Sequence, residues 1–200
     1  GKIHGSALGR DEVAALKETL GFDPEKSFDV DPDVLAYTRE VRSRGAEEHA
    51  LWNDSFAAWQ ETNPEGAELL ERIQAGKLPQ GWEDSLPKFE AGKDVSTRAA
   101  SGKVLSAIGP VLPELWGGSA DLAESNNTTI EGAPSFVPAG RQTSAWSGGP
   151  YGRVLHFGIR EHAAAAIVNG ITMSSNTRAF SGTFLIFSDY QRPAIRLGAL

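Results

Sequence analysis

The feature that most constrains the fold is a short apolar run, Val154-Leu155-His156-Phe157, that meets a glycine and then an alanine-rich segment. A run this short and apolar reads as a buried strand, and Gly158 turns the chain out of it. Ala163, Ala164, Ile167 and Ile171 then recur near the helical spacing i, i+4, i+8. The stretch Gly158-Ile159-Arg160-Glu161-His162 therefore predicts a carboxylate, Glu161, in the first turn of a helix at the carboxyl end of a strand. Open α/β sheets gather their chemistry at that place. Local pattern alone gives more weight to a plainer role. Acids are common in first turns, where the helix dipole favours them by a few tenths to about 1 kcal/mol.

A second stretch follows, Phe180-Ser181-Gly182-Thr183-Phe184-Leu185-Ile186-Phe187-Ser188-Asp189-Tyr190. Phe184, Phe187 and Tyr190 stand at i, i+3 and i+6, which in one helix spreads them over about 120° as a wall. Such a wall is more often core than pocket. Pro193 falls where that helix continues, so a kink or a restart is expected there.

Upstream, Gly1 to Gly9 is a glycine-rich loop with one imidazole, His4. Asp11 is positioned to cap a helix carrying Val13, Leu16 and Leu20, which Gly21 stops. A long helix starts at Asp31 or Pro32, with Gly45 as a point of breaking or bending, and His49 reads as a solvated surface residue. A further helix spans Pro64 to about Ala75 and buries Leu69, Leu70 and Ile73. Residues 76–96 have linker composition, anchored by Trp82 and Phe89. The second part opens with Thr97-Arg98 and a helix through Val104, Leu105, Ile108 and Leu112. Glu114 to Asp121 reads as a short strand running into a glycine-rich turn, Gly117-Gly118-Ser119-Ala120-Asp121. Residues 126–152 are polar and rich in Gly, Ser, Thr and Pro; so long a loop is expected to fold over the site or a subunit contact. The fold class is α/β, a helical segment (1–75), a linker (76–96) and part of a parallel-sheet domain (97–200).

Several functions are excluded. A net charge of −7 in 200 residues argues against a nucleic-acid surface. With no cysteine there is neither a disulfide nor a Cys-based metal site. No apolar run approaches the ~18 residues of a membrane span, and no signal peptide opens the chain, so the cytoplasm is the expected location. His156 and His162 flank Glu161 without forming a His-Glu-x-x-His helix, so zinc is not expected. No Gly-x-x-x-x-Gly-Lys-Ser/Thr is present, so a nucleotide P-loop is excluded. The chain begins with Gly, not Met, and is expected to be a piece of a longer protein.

Gly-Ile-Arg-Glu-His-Ala at 158–163 and Gly-Thr-Phe-x-x-Phe-x-x-Tyr at 182–190, in this order, resemble the pyrimidine-binding domain of transketolase, a thiamine-diphosphate enzyme. His4-Gly5-Ser6-Ala7-Leu8-Gly9 is similar to the same family's His-Gly-x-x-Leu-Gly, and Gly117 to Asn126 to its Gly-Gly-Ser-Ala-Asp-Leu-x-x-Ser-Asn. The resemblance implies that Glu161 hydrogen-bonds N1′ of the aminopyrimidine and must keep or share a proton, which requires burial. Phe184, Phe187 and Tyr190 are implied to hold the ring, Asp121 to lie beside the thiamine rings, and His4 to touch both the cofactor's diphosphate end and the substrate, making it catalytic as well. Arg98, in Thr-Arg-Ala-Ala-Ser, and Ser125 are implied to grip a sugar phosphate.

The implied reaction transfers a two-carbon ketol unit from a ketose phosphate to an aldose phosphate in the pentose phosphate pathway. The cofactor supplies the carbanion, because no side chain can. The implied assembly is a homodimer with sites at the subunit interface, so the segment alone is expected to be inactive. Mg²⁺ is implied, but the Gly-Asp-Gly…Asn motif that would hold it and the diphosphate is not among these residues, nor are the family's further substrate histidines. Ala164 stands where the family often has Met, a change of packing rather than chemistry. Two other readings remain: a related synthase of the dihydroxyacetone or deoxyxylulose-phosphate type, and a non-catalytic binding paralogue.

Overall fold

A computed structural model describes residues 4–174 and 176–200. The chain divides into two compact units, Gly1–Pro64 and Glu65–Leu200.

The first unit holds α1 (Arg10–Thr19) and α2 (Pro32–Thr62). Asp11 does not cap α1. Gly9 is the N-cap, no side chain closes it, and Asp11 and Glu12 instead stand in the first turn, where the dipole favours them. α2 is capped by Asp31, whose carboxylate accepts from the Asp33 amide at 2.8 Å, with Pro32 at the first helical position. It runs unbroken through Gly45, since one interior glycine costs only about 1 kcal/mol against alanine. His49 is exposed as expected, yet it stacks on Trp52 at 6.0 Å. Trp52 stacks on Phe56 at 4.8 Å, and Phe56 on Trp59 at 5.7 Å.

The second unit begins in α3 (Pro64–Gln74), whose Leu69, Leu70 and Ile73 are half-buried rather than buried. A single 3-10 turn at Trp82–Ser85 and the Lys103 ammonium 5.8 Å from the Phe89 ring centre anchor the following stretch. α4 (Thr97–Ile108) is capped by Ser96, whose hydroxyl accepts from the Ala99 amide at 3.4 Å. Then come β1 (Leu115–Ser119), α5 (Ala123–Asn126), β2 (Ser135–Phe136), β3 (Gly148–Gly149), β4 (Val154–His156), α6 (Glu161–Ser174), β5 (Arg178–Gly182) and α7 (Ser188–Gly198). The five strands form one parallel sheet in the order β3-β2-β4-β1-β5. The polar stretch 126–152 is thus not only a loop, because β2 and β3 extend the sheet from within it.

Gly117 and Gly118 lie inside β1, not in the turn after it. A Cβ on Gly118 would overlap the Leu155 carbonyl, and one on Gly117 the ring of Phe180, so β1 fits between β4 and β5 only without side chains at these two positions. The core joins Leu155, Phe157 and Ala164, with Trp116, Val168 and Ile171 packed on it. Ala164, Val168 and Ile171 therefore form the inward stripe of α6, while Ile167, expected on that face, is half exposed. α7 continues through Pro193 without restarting there. The change of helix type comes earlier, at Ser188, where a 3-10 turn at Leu185–Phe187 gives way to α7. Asn169 of α6 donates to the Ala194 carbonyl at 2.8 Å and holds α7 past the proline.

Two arginines fix the amino-terminal edge of the sheet. Arg153 Nη1 donates to the carbonyls of Gly109, Leu112 and Leu115 at 3.0, 2.9 and 3.4 Å, closing the connection from α4 to β1. Arg72 of α3 makes a two-pronged ion pair with Glu114, at 2.8 and 2.9 Å. The Glu114 side chain is 2% exposed, and Arg178 Nε approaches its Oε1 at 3.7 Å. Burial pushes this carboxyl up. The hydrogen bonds from Arg72, the backbone bond at Glu114, and the charges of Arg72 and Arg178 outweigh burial and hold it below the usual carboxylate range.

Breaking a buried pair from one side strands a charge. Arg72→Met is therefore expected to lower the stability of this unit by about 3 kcal/mol at neutral pH, the low end of the range because Arg178 stays close. Glu114 is depressed in the fold, so its contribution is complete above the ordinary carboxylate value of about 4.3 and is lost as pH falls through the folded value. In urea titrations across that interval the gap between wild type and variant should close; a gap that persists at acid pH would refute the assignment.

Candidate active site at the carboxyl ends of the strands

The register of the sheet brings three strand ends level. Ser119 is paired with His156 on one side and with Gly182 on the other. The chain segments that leave β1, β4 and β5 therefore emerge side by side, and they carry the residues singled out from the sequence.

After β1 the chain turns at Asp121, which has φ of 60°, the left-handed region that a non-glycine residue enters only under constraint. After β4, Gly158 (φ 67°) turns the chain so that Glu161 becomes the first residue of α6. After β5, Phe184 leads into the 3-10 turn and α7. Phe184, Phe187 and Tyr190 stack in sequence, each neighbouring pair of rings 6.3 Å apart with interplanar angles of 20° and 27°. The wall expected from the sequence is present, although two kinds of helix build it.

Asp121, Glu161, Phe187 and Tyr190 line one cavity of about 460 Å³ together with Ala120, Leu122 and Ile159. Phe184 does not line it; this ring backs Phe187 instead. Glu161 is half-buried rather than buried, and Tyr190 and Ile159, which line the same cavity, are 64% and 78% exposed. The cavity offers carboxylates on an otherwise apolar, aromatic lining. That donor set suits a flat heteroaromatic ring with a basic nitrogen, held by stacking and one hydrogen bond.

A larger neighbouring cavity, about 720 Å³, shares Asp121 and Leu122 with the first and adds Ser119, Ser125, Trp146, His156 and Arg160 to its lining. Arg98 lies beside it: its Nη1 donates to the Ser125 carbonyl at 3.4 Å. The structure thus brings Arg98 and Ser125 together, through the backbone of Ser125 rather than its hydroxyl. Arg98 is exposed at the start of α4. His4 lies in an exposed turn of the first unit. Among the described residues no group of three or more His, Asp or Glu is placed to hold a metal ion, and no helix is long and apolar enough to cross a membrane.

Sequence reasoning missed Trp146, and it read Ser119 as a turn residue rather than the last residue of β1. Trp146 reaches back from the polar stretch to pack on His156, ring centres 4.8 Å apart, while Ser135 Oγ and His156 Nε2 are 2.9 Å apart. Nothing local marks that partnership. A tryptophan within a run of small polar residues was the one available sign.

A parallel sheet with a carboxylate-bearing aromatic pocket at its strand ends defines an α/β domain with a candidate ring-binding site. The chain matches the family described as "Transketolase, pyrimidine binding domain" over residues 93–200, and "Transketolase, thiamine diphosphate binding domain" over residues 1–79. The chain belongs to the transketolase family. It is 58% identical to the transketolase of Mycobacterium tuberculosis over all of its length and 29% of that protein. It is 44% identical to that of Geobacillus stearothermophilus, over 99% of this chain and 28% of the relative. A crystal structure of a Pichia stipitis transketolase complex with sedoheptulose-7-phosphate superposes on 96% of the chain and 28% of its own, with a TM-score of 0.84 at 39% identity. The chain therefore spans somewhat under a third of the length of these relatives.

The turn at Asp121 supplies a test independent of catalysis. Left-handed backbone costs a residue with a Cβ about 1–2 kcal/mol, which aspartate partly recovers through local hydrogen bonding. Asp121→Ala is expected to lower stability by about 1 kcal/mol, while Asp121→Gly, free of the Cβ, leaves it unchanged or raises it. Thermal unfolding of the two variants decides between this and an unstrained turn, which would rank alanine above glycine.

Proposed function

We propose that this chain contributes the pyrimidine-binding part of a transketolase, an enzyme that transfers a two-carbon ketol unit from a ketose phosphate to an aldose phosphate. The observation that supports this most is the single cavity lined by Asp121, Glu161, Phe187 and Tyr190, residues from three separate motifs. Thiamine diphosphate, when bound, supplies the electron sink for breaking a carbon–carbon bond beside a carbonyl. Glu161 would hold a proton at the pyrimidine N1′, and Phe187 and Tyr190 would stack on the ring, on the order of 0.5–1.5 kcal/mol per contact. Phe184 supports that wall from behind. Asp121 would stand beside the rings.

Arg98 and Ser125 form the phosphate end of the substrate site, where a guanidinium gives charge-assisted bonds to an anion in an otherwise acidic chain. His4 is assigned to the diphosphate end of the cofactor and to the substrate. Residues 1–75 are assigned to the end of the diphosphate-binding domain, 76–96 to the linker and 97–200 to the first part of the pyrimidine-binding domain. Mg²⁺ takes its ligands from outside these residues. The assembly is a homodimer whose sites lie between subunits, working in the cytoplasm in the pentose phosphate pathway.

The test uses a full-length transketolase carrying these residues. Glu161→Gln keeps the shape of the side chain but removes the acid, and kcat should fall by about a hundred- to ten-thousandfold. Proton exchange at C2 of the bound cofactor should slow with it, and unchanged exchange would refute the role of Glu161.

Arg98→Ala should act on KM. Losing a charge-assisted phosphate contact costs roughly 1.5–3 kcal/mol, hence about ten- to a hundredfold, for phosphorylated sugars and much less for unphosphorylated ones. Equal losses on both substrate types would refute the phosphate role.

A further inference from the structure

Ser119 closes β1 at the point where the three strand ends meet, and it is 4% exposed. Its hydroxyl makes three hydrogen bonds. It donates to the Gly182 carbonyl at the end of β5 (3.0 Å), and accepts from the Leu122 amide (3.2 Å) and from Asn126 Nδ2 (3.1 Å). A hydroxyl has one proton and two acceptor positions, so this one is fully used. Each bond leads to a different part of the proposed site. Leu122 follows Asp121, the left-handed residue of the ring cavity. Asn126, 9% exposed, shares the four-residue helix α5 with Ser125, whose carbonyl Arg98 engages. Gly182 precedes Thr183 and the aromatic wall, and its carbonyl also accepts from the Ala120 amide at 3.3 Å.

We propose that Ser119 is the positioning residue that couples the ring pocket to the sugar-phosphate clamp, with Asn126 as its arm toward the clamp. This rests on the proposed function. Rigid placement of a site by buried hydrogen bonds behind it is what keeps binding groups in productive geometry. Here one buried hydroxyl serves two subsites. Removing it frees the Asp121 turn and α5 together, whereas removing the Asn126 amide donor frees α5 alone.

The experiment compares Ser119→Ala, Ser119→Thr and Asn126→Leu, similar in shape but with neither donor nor acceptor, in a full-length transketolase carrying these residues. Calorimetry gives the dissociation constant of thiamine diphosphate, and steady-state kinetics give KM for a phosphorylated and an unphosphorylated ketose. Ser119→Ala should raise both the cofactor constant and the KM for the phosphorylated ketose about tenfold. Asn126→Leu should raise that KM alike and leave the cofactor constant within about twofold. Ser119→Thr, which retains the hydroxyl, should recover most of both.

A merely structural role would lower the melting temperature and leave all these constants at wild-type values, which overturns the proposal. Should Ser119→Ala not fold, an unchanged KM in Asn126→Leu overturns it equally. Arg98→Ala in parallel separates the two readings. A phosphate effect there with silent Ser119 and Asn126 variants overturns this inference alone. No phosphate effect in Arg98→Ala overturns the clamp, and this inference with it.

Discussion

Everything at the candidate site depends on how closely β1 is held between β4 and β5. The strand has no Cβ at Gly117 or Gly118, because the Phe180 ring and the Leu155 carbonyl occupy that space. Close approach sets the register that levels Ser119 with His156 and Gly182. Levelled strand ends place the Asp121 turn, the start of α6 and the aromatic wall on one edge. A side chain at either glycine would push a neighbouring strand away and separate the groups that share the cavity. The glycines are thus part of the site's construction although they lie one or more residues inside the strand.

The opposite edge of the sheet is fixed by charge instead of by absence of side chains. Glu114 is buried, and such a group is tolerated only because Arg72 engages both its oxygens and Arg178 adds its charge nearby. Arg178 also donates to the Gly76 carbonyl at 3.1 Å, so the segment after α3 is drawn to the same edge. Among the described residues, the carboxylates that line the ring cavity lie at the carboxyl ends of the strands, and the buried carboxylate held in an ion pair, Glu114, lies at the amino ends.

Elements whose signal is local were legible in the sequence. The helix start at Asp31 or Pro32, the strand Val154–His156, the helix beginning at Glu161 and the ring spacing of Phe184, Phe187 and Tyr190 each follow from neighbours within a turn or two. Features fixed by distant partners were not. The glycines of β1 read as turn residues because only the facing Leu155 and Phe180 show why a strand needs them. Glu114 and Arg72 are 42 positions apart, and nothing near either one announces the other. Asp11 follows the capping preference, yet the helix starts one residue before it. Pro193 breaks a local rule within α7, a helix that Asn169, on another helix, ties down through the Ala194 carbonyl.

The same distinction explains why the residues lining the candidate site were easier to single out than what holds them. Glu161, Asp121 and the aromatic rings stand in motifs from which a resemblance can be read one by one. Ser119 sits inside one of those motifs but contributes a hydroxyl, the least specific of polar groups, and its partners come from one strand, a turn and a short helix. A buried hydroxyl with every hydrogen-bonding position filled has no freedom left to bind a ligand. Its effect on the site must therefore pass through the backbone it fixes, and that backbone includes the one strained aspartate of the cavity.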